Sequence, residues 1–351
     1  MFIFGAGYEK DTLTDITREA AAVGDFYGSG ITLPTTGRRG TKCLRLKGGQ
    51  TVTYALNPGA TELFIGMAFL AETGAAVSVP FLTFYNSGAG RYGFSASVNS
   101  GRRLVLSPDA SGGPVTWTSA TPVAANGWYH LGLHVKLHAS AGVLAGYFGG
   151  ASSPDAAAAN GKTSDSALVA DTFVLSGPGS SNDGTAYRFG DIYINDGRND
   201  DGLGNNVLWG DYKAVGRRMS VNGTNTGLSR STGTNDATLV SDDSDATYLY
   251  GLTGRTTMVP VPLGFSPTNI KGRVVKIVAD KEDATMRTLD LATKVGATDY
   301  DHATETGDPV KALEATNKRR YAFLQPADPS TGAAWADAAA IDAAEIGPLI
   351  A

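Results

Sequence analysis

The amino-acid sequence predicts an all-β protein built from two β-sandwiches. Glycine accounts for 45 of the 351 residues, a share well above the average of about 7%. Short apolar runs recur between stretches rich in Thr, Ser, Asn and Asp, a spacing typical of strands joined by turns. The length of the chain favours two domains. We place the first at residues 1–212 and the second, smaller one at residues 213–351.

The clearest strand of the first domain is predicted over 128–138, where apolar and polar residues alternate. This alternation gives the strand one apolar face and one polar face, and the polar face carries His130, His134 and His138. Residues four apart on a strand lie about 13 Å from each other, too far to share one metal ion. We therefore expect the three histidines to lie on a solvated face. Further strands are predicted over 1–4, 42–46, 50–56, 62–70, 79–85, 92–98, 102–107, 115–118, 143–148, 172–175 and 188–195, with a long surface loop over 149–167.

The second domain follows a turn-rich crossing over 196–245. Strands are predicted over 247–250, 272–279, 285–291, 317–323 and 345–351. The alanine-rich stretch 331–344 around Trp335 predicts the single short helix of this smaller sandwich.

Charge and composition exclude several classes of partner. Only 18% of the residues are charged and the net charge is −5, which argues against nucleic acid. No run of 18 apolar residues is present, so we expect no membrane insertion, and the short apolar start at 1–7 does not resemble a signal peptide. The single cysteine, Cys43, excludes an internal disulfide.

An acidic and amide-rich cluster at 195–206 has the oxygen ligands that calcium prefers. Asp196, Asp200 and Asp201 are its candidate ligands, and calcium is the only cofactor that the sequence suggests. Tight turns also demand Asx and Gly residues, so ordinary turn chemistry explains the same cluster.

Aromatic side chains on loops and strand ends can stack against sugar rings. Tyr85, Tyr92 and Trp117 are the candidates for glycan contact, although a tryptophan in this position also suits core packing. The sequence contains no Gly-x-Ser-x-Gly, His-Glu-x-x-His or P-loop motif and no Glu-x-Asp-x-x-Glu run. We therefore predict no catalytic residue and no enzymatic activity.

Several phrases, taken in order, resemble a family of tailed-bacteriophage virion proteins that carry a laminin G-like, concanavalin A-like jelly roll. The resemblance implies a concanavalin A-like (laminin G-like) jelly-roll sandwich followed by a smaller second β-sandwich. In that family the Gly-Arg-Arg-Gly turn leads into a strand lining the sandwich. This sequence has Gly190 where an acidic residue is more usual before Asp191. The matching segments are 1–5, 36–46, 128–130, 189–196, 298–301, 328–335 and 344–347.

The resemblance implies a structural protein of the virion, at the tail tip or baseplate or as a capsid decoration or head fibre. It would be made in the host cytoplasm and assembled as a homo-oligomer with other virion proteins, with host-surface glycan as a further partner. Two alternatives stay open: a glycan-degrading enzyme on a lectin-like fold, and a cellular carbohydrate-binding or adhesion module.

Overall fold

The computed structural model describes residues 2–6, 8, 26–27, 31–75, 78–88, 91–108, 116–165, 168–179, 185–198, 203, 206–241, 246–267, 269–282, 285–306, 310–315 and 318–351. Nearly all of its regular structure is β, which confirms the predicted fold class. The chain divides into two compact units, Met1–Gly216 and Arg217–Ala351, whereas the sequence-based division was placed after residue 212. No helix among these residues has the length and apolar character needed to cross a membrane.

The first unit is a sandwich of two seven-stranded antiparallel sheets. Its strands are β1 (Phe2–Ala6), β2 (Phe26–Tyr27), β3 (Leu44–Lys47), β4 (Thr51–Ala60), β5 (Glu62–Ala71), β6 (Pro80–Asn86), β7 (Arg91–Val98), β8 (Arg103–Pro108), β9 (Trp117–Pro122), β10 (Trp128–Lys136), β11 (Gly142–Phe148), β12 (Ala156–Gly161), β13 (Ala170–Ser176) and β14 (Ala186–Asp196). Sheet A has the order β1-β14-β5-β10-β11-β12, with β3 also paired to β14. Sheet B has the order β2-β4-β13-β6-β7-β8-β9.

Aromatic side chains from both sheets fill the core of this sandwich. Phe69 of sheet A stacks on Phe81 of sheet B at a centroid distance of 4.3 Å, and Phe189 lies 5.7 Å from Phe69. All three are fully buried. Burying each ring stabilises the fold by about 1.5–3 kcal/mol. The alternation of apolar and polar residues along the strands places these rings on the inner faces, where they hold the two sheets together.

The strand predicted over 128–138 is confirmed as β10, which ends at Lys136. His138 is exposed as expected, but His130 and His134 do not lie on a solvated face. Leu131, Leu133 and Val135 point into the core as predicted. On the opposite face His130 is only 1% exposed, and His134 bonds Glu62 with 2.8 Å between Nε2 and Oε1. A segment that follows β14 covers this part of sheet A, which the strand's own periodicity does not reveal.

The long loop predicted over 149–167 contains the strand β12, which pairs with β11. Its sequence, Ala156–Gly161, is almost entirely alanine and carries no alternation of apolar and polar residues. Backbone hydrogen bonds to β11 hold it as an edge strand, and these depend on the neighbouring strand rather than on side-chain pattern.

The second unit contains one six-stranded sheet, two two-stranded ribbons and three short helices among its described residues. Its strands are β15 (Met219–Thr226), β16 (Ser229–Arg230), β17 (Leu249–Tyr250), β18 (Gly254–Pro260), β19 (Arg273–Ala279), β20 (Thr288–Val295), β21 (Thr298–Asp301), β22 (Lys311–Ala312), β23 (Arg319–Gln325) and β24 (Glu345–Ile350). Leu289 and Leu291 of the large sheet pack with Phe323 of the β19-β23 ribbon, which forms the small second core. β15 lies within the stretch that was predicted to be only a crossing.

The helix predicted over 331–344 is shorter than expected. The helices are α1 (Asp236–Leu239), α2 (His302–Thr306) and α3 (Ala338–Ala343). Asp337 caps α3, because its side chain accepts a hydrogen bond from the Ala340 amide at 2.9 Å. Trp335 therefore precedes the helix and is buried against Ile341 rather than lying on a helical turn.

Candidate functional site

The outer face of sheet B carries a row of small hydroxyl side chains. Thr83 on β6 lies directly opposite Ser95 on β7, and Ser95 lies opposite Ser107 on β8. Their sequence neighbours Leu82 and Leu106 are buried in the core, so alternation turns the hydroxyl side chains outward. Adjacent strands lie about 4.8 Å apart, and the row therefore presents hydroxyl groups at that spacing across three strands.

This row lies in a groove of about 510 Å³. Pro80 and Pro108 contribute rigid apolar surface beside the hydroxyl groups, and Gln50 adds an amide. The described residues that line the groove carry no charge: Gly49, Gln50, Thr51, Val79, Pro80, Thr83, Phe94, Ser95, Ser107, Pro108, Ser176, Gly177 and Gly179. Such a surface suits a neutral ligand that hydrogen-bonds and also has apolar faces.

Two of the three predicted glycan-contact residues are brought together on sheet B. Tyr85 shares the outer face with Thr83, two residues away on β6, and is half-buried. The backbone of Tyr92 lies directly opposite Tyr85 on β7, while the Tyr92 side chain lies outside the described part of the structure. The spacing of the two residues in sequence gives no sign of this pairing, which depends on the β6-β7 register.

Trp117 does not lie on a binding surface. Only 2% of it is exposed, and it belongs to the core between the sheets. Its indole ring occupies the space above Gly146, where an added Cβ would lie 2.2 Å from the ring. The prediction of glycan contact by Trp117 is therefore wrong, because the side chain fills the sandwich interior at β9.

The candidate calcium ligands are only partly described. Asp196 is fully buried at the end of β14, and its Oδ1 accepts from the Arg198 amide at 3.1 Å while its Oδ2 accepts from the Arg198 Nε at 2.6 Å. Asp200 and Asp201 lie outside the described residues. Among the described residues no group of three His, Cys, Asp or Glu side chains could hold a metal ion. Calcium at Asp196, Asp200 and Asp201 stays a prediction.

Three carboxylates of the first unit tie neighbouring segments together. Glu72 accepts from the Nε atoms of Arg45 and Arg188, each at 2.8 Å. Burial by itself would raise the pKa of Glu72, but the two guanidinium groups outweigh it and hold the pKa below its usual value. Asp211 is held by Arg38 and Arg39 in a similar way, and Asp155 by the Thr121 hydroxyl and amide.

The two facing seven-stranded antiparallel sheets of the first unit define it as an antiparallel β-sandwich protein. No family model matches the sequence, and no curated protein matches it. Several solved structures are similar in fold at low sequence identity.

Three of these structures illustrate the likeness. The "Cellulose induced protein, Cip1" has a TM-score of 0.38 and 12% identity, over 55% of this chain and 96% of the other. The catalytic domain of a glycoside hydrolase family 131 protein from Coprinopsis cinerea has a TM-score of 0.35 and 15% identity, over 56% and 94%. The receptor-binding domain of botulinum neurotoxin D has a TM-score of 0.37 and 10% identity, over 87% and 92%. All three TM-scores are below 0.5.

The prediction that the chain has no enzymatic activity is withdrawn. It is contradicted by the glycoside hydrolase catalytic domains among the similar structures, which come from Coprinopsis cinerea and Podospora anserina. A β-sandwich scaffold by itself does not separate a binding protein from a hydrolase.

Proposed function

We propose that the first unit binds neutral carbohydrate through the hydroxyl-lined groove of sheet B. The observation that carries this proposal is the row of Thr83, Ser95 and Ser107 in an uncharged groove. Hydroxyl and amide groups pair with sugar hydroxyls, while the proline surfaces accept the apolar faces of pyranose rings. This corresponds to the carbohydrate-binding reading that the sequence left open as an alternative.

The test measures binding to a panel of neutral and acidic polysaccharides by pull-down and by titration calorimetry with soluble fragments. Thr83→Val keeps the shape of the side chain and removes its hydroxyl. A lost hydrogen bond is worth about 1 kcal/mol, so we expect roughly five- to tenfold weaker binding to a neutral glycan.

Thr118→Val is the matched control, because Thr118 is exposed on the outer face of the same sheet but outside the groove. Equal losses in both variants, or binding restricted to acidic glycans, would overturn the proposal. Reducing ends are measured in the same incubations, and their release would add hydrolysis to the binding function.

The role in a tailed-phage virion is proposed from the sequence resemblance alone. It includes assembly with other virion proteins, a homo-oligomeric state and a site at the tail or on the capsid. Mass spectrometry of purified particles tests it, and absence of the chain from those particles would exclude it.

A further inference from the structure

A row of two glycines between two tyrosines crosses the outer face of sheet A. Tyr193 on β14 lies opposite Gly66 on β5, Gly66 lies opposite Gly132 on β10, and Gly132 lies opposite Tyr147 on β11. The sequence neighbours of these residues, such as Ile65 and Leu131, point into the core. The two central strands therefore have no side chain of their own at this position. The Tyr193 ring lies over Gly66, and the sheet forms a trough at Gly132 between the Tyr193 ring and Tyr147.

Larger side chains bound the trough along the strands. His130 and His134 lie two residues to either side of Gly132, and these two positions are about 13 Å apart. Phe64 stacks on His134 with centroids 4.2 Å apart. His130 and His134 thus close the trough along β10, and the Tyr193 ring and Tyr147 bound it across the sheet, a size that suits one substituted six-membered ring better than an extended chain.

A segment of the same unit fills this trough. The strap, residues 207–211, places Leu208 over Gly132, where an added Cβ would lie 3.5 Å from Leu208 Cδ1. The Trp209 ring stacks on Tyr193 at 4.9 Å. The Tyr193 hydroxyl accepts from the Trp209 amide at 3.0 Å and donates to the Gly210 carbonyl at 3.1 Å.

The strap leaves polar groups of the trough without partners. Neither ring nitrogen of His130 has a hydrogen bond among the described residues, although His130 is 1% exposed. Asn195 donates to the Val207 carbonyl at 2.8 Å, but its own Oδ1 is buried without a donor. A buried polar group without a partner costs about 1–3 kcal/mol, so the strap is an incomplete match to the surface beneath it.

We propose that the trough is a second, latent binding site for a single pyranoside ring, and that the strap occupies it when no ligand is bound. The floor at Gly132, beside the Tyr193 ring, admits the sugar ring once Leu208 and Trp209 are withdrawn. His130 and Asn195 then pair with sugar hydroxyls, and Tyr193 and Tyr147 flank the apolar ring faces. The ligand must displace the strap, so the apparent Kd of the resting protein is the intrinsic Kd divided by the fraction of time the strap is open.

The test uses the full chain and a panel of methyl glucopyranoside, methyl galactopyranoside and N-acetylglucosamine. The double variant Leu208→Gly with Trp209→Ala loosens the strap. We expect at least tenfold tighter binding of one of these sugars, and we expect Gly132→Val in the same background to abolish the gain. The gain should persist when Thr83→Val weakens the groove of sheet B, so failure of this site and failure of the proposed function are distinguishable.

Hydrogen exchange on the wild-type chain decides the matter if the double variant does not fold. Saturating sugar should accelerate hydrogen exchange of the Trp209 amide, which donates to the Tyr193 hydroxyl in the closed strap. The exchange rate of the Ala214 amide, which donates to Asp191 Oδ1, should stay the same. A peptide library is screened in parallel. A loosened strap without tighter sugar binding, a gain that survives Gly132→Val, an unchanged Trp209 amide, or binding of peptides alone would each overturn the proposal.

Discussion

The phenol ring of Tyr193 lies directly over the backbone of Gly66, its partner on the neighbouring strand. A Cβ at Gly66 would lie 2.0 Å from the Tyr193 ring, so position 66 can carry a side chain only if that ring moves. The glycine is therefore required by the tyrosine, and the tyrosine in turn holds the strap through two hydrogen bonds.

We expect Gly66→Ala to lower the free energy of unfolding by about 2–3 kcal/mol, because the added methyl group must displace Tyr193. Denaturant titration measures it. Gly190→Ala is the matched control on β14, since its added Cβ would meet only Ala68 at an ordinary 3.9 Å. A similar loss in both variants would show that the Tyr193 contact is not the cause.

The free energy of unfolding should fall as the pH drops from 7 to 4.5, because His130 is buried as a neutral ring. Burial, opposed by the Asp211 charge and helped by the Arg38 and Arg39 charges, lowers the pKa of His130 to about 4. The unfolded chain binds a proton near pH 6.5 and the folded chain only near pH 4, so stability is complete above pH 6.5 and is lost below it. The loss should reach about 2–3 kcal/mol at pH 4.5.

His130→Phe removes the titrating group while keeping an aromatic ring. The difference in stability between wild type and this variant, measured by denaturant titration at each pH, isolates the His130 contribution from that of the carboxylates. A difference that stays constant between pH 7 and pH 4.5 would contradict the prediction.

Glu72→Gln should destabilise the first unit by about 2 kcal/mol, because it leaves the Arg45 and Arg188 guanidinium groups without their shared carboxylate. Only 12% of the Glu72 side chain is exposed, so water replaces the lost contacts poorly. Lys136→Met serves as the control, since Lys136 is 40% exposed and its ammonium lies 3.9 Å from Glu62. We expect the control to change the stability by less than about 0.5 kcal/mol in the same chemical denaturation.

Arg273→Lys should destabilise the second unit by about 1 kcal/mol. The Arg273 guanidinium lies 4.4 Å from the centre of the Trp335 ring, and its Nε donates to Gln325 at 2.6 Å. A lysine ammonium cannot stack flat on the indole and reach Gln325 in the same geometry. Thermal unfolding of Arg319→Lys provides the comparison, because Arg319 only approaches Glu314 at 3.6 Å near the surface. Equal shifts in the two melting temperatures would argue against a specific role for the Trp335 contact.

The candidate site could be predicted from the sequence only in part. Tyr85 and Tyr92 were recognisable as aromatic residues at the ends of predicted strands, but the hydroxyl row was not, since Thr83, Ser95 and Ser107 are ordinary strand residues when read singly. An alternation of buried and hydroxyl residues in three successive strands is the signal that could have found the row. The β6-β7-β8 register then determines that the three side chains are neighbours.

The sequence by itself determined the all-β class and the core faces of the strands, because alternation along a strand decides which side chains point inward. It could not determine what lies on the other face. His130 belongs to a polar face by its spacing, yet the strap about 80 residues later in the sequence buries it. Trp117 lies in the core although its short strand shows little alternation of apolar and polar residues. These outcomes depend on strand register and on long-range packing. Such contacts join residues that are far apart in the sequence, and the local pattern around either residue does not predict them.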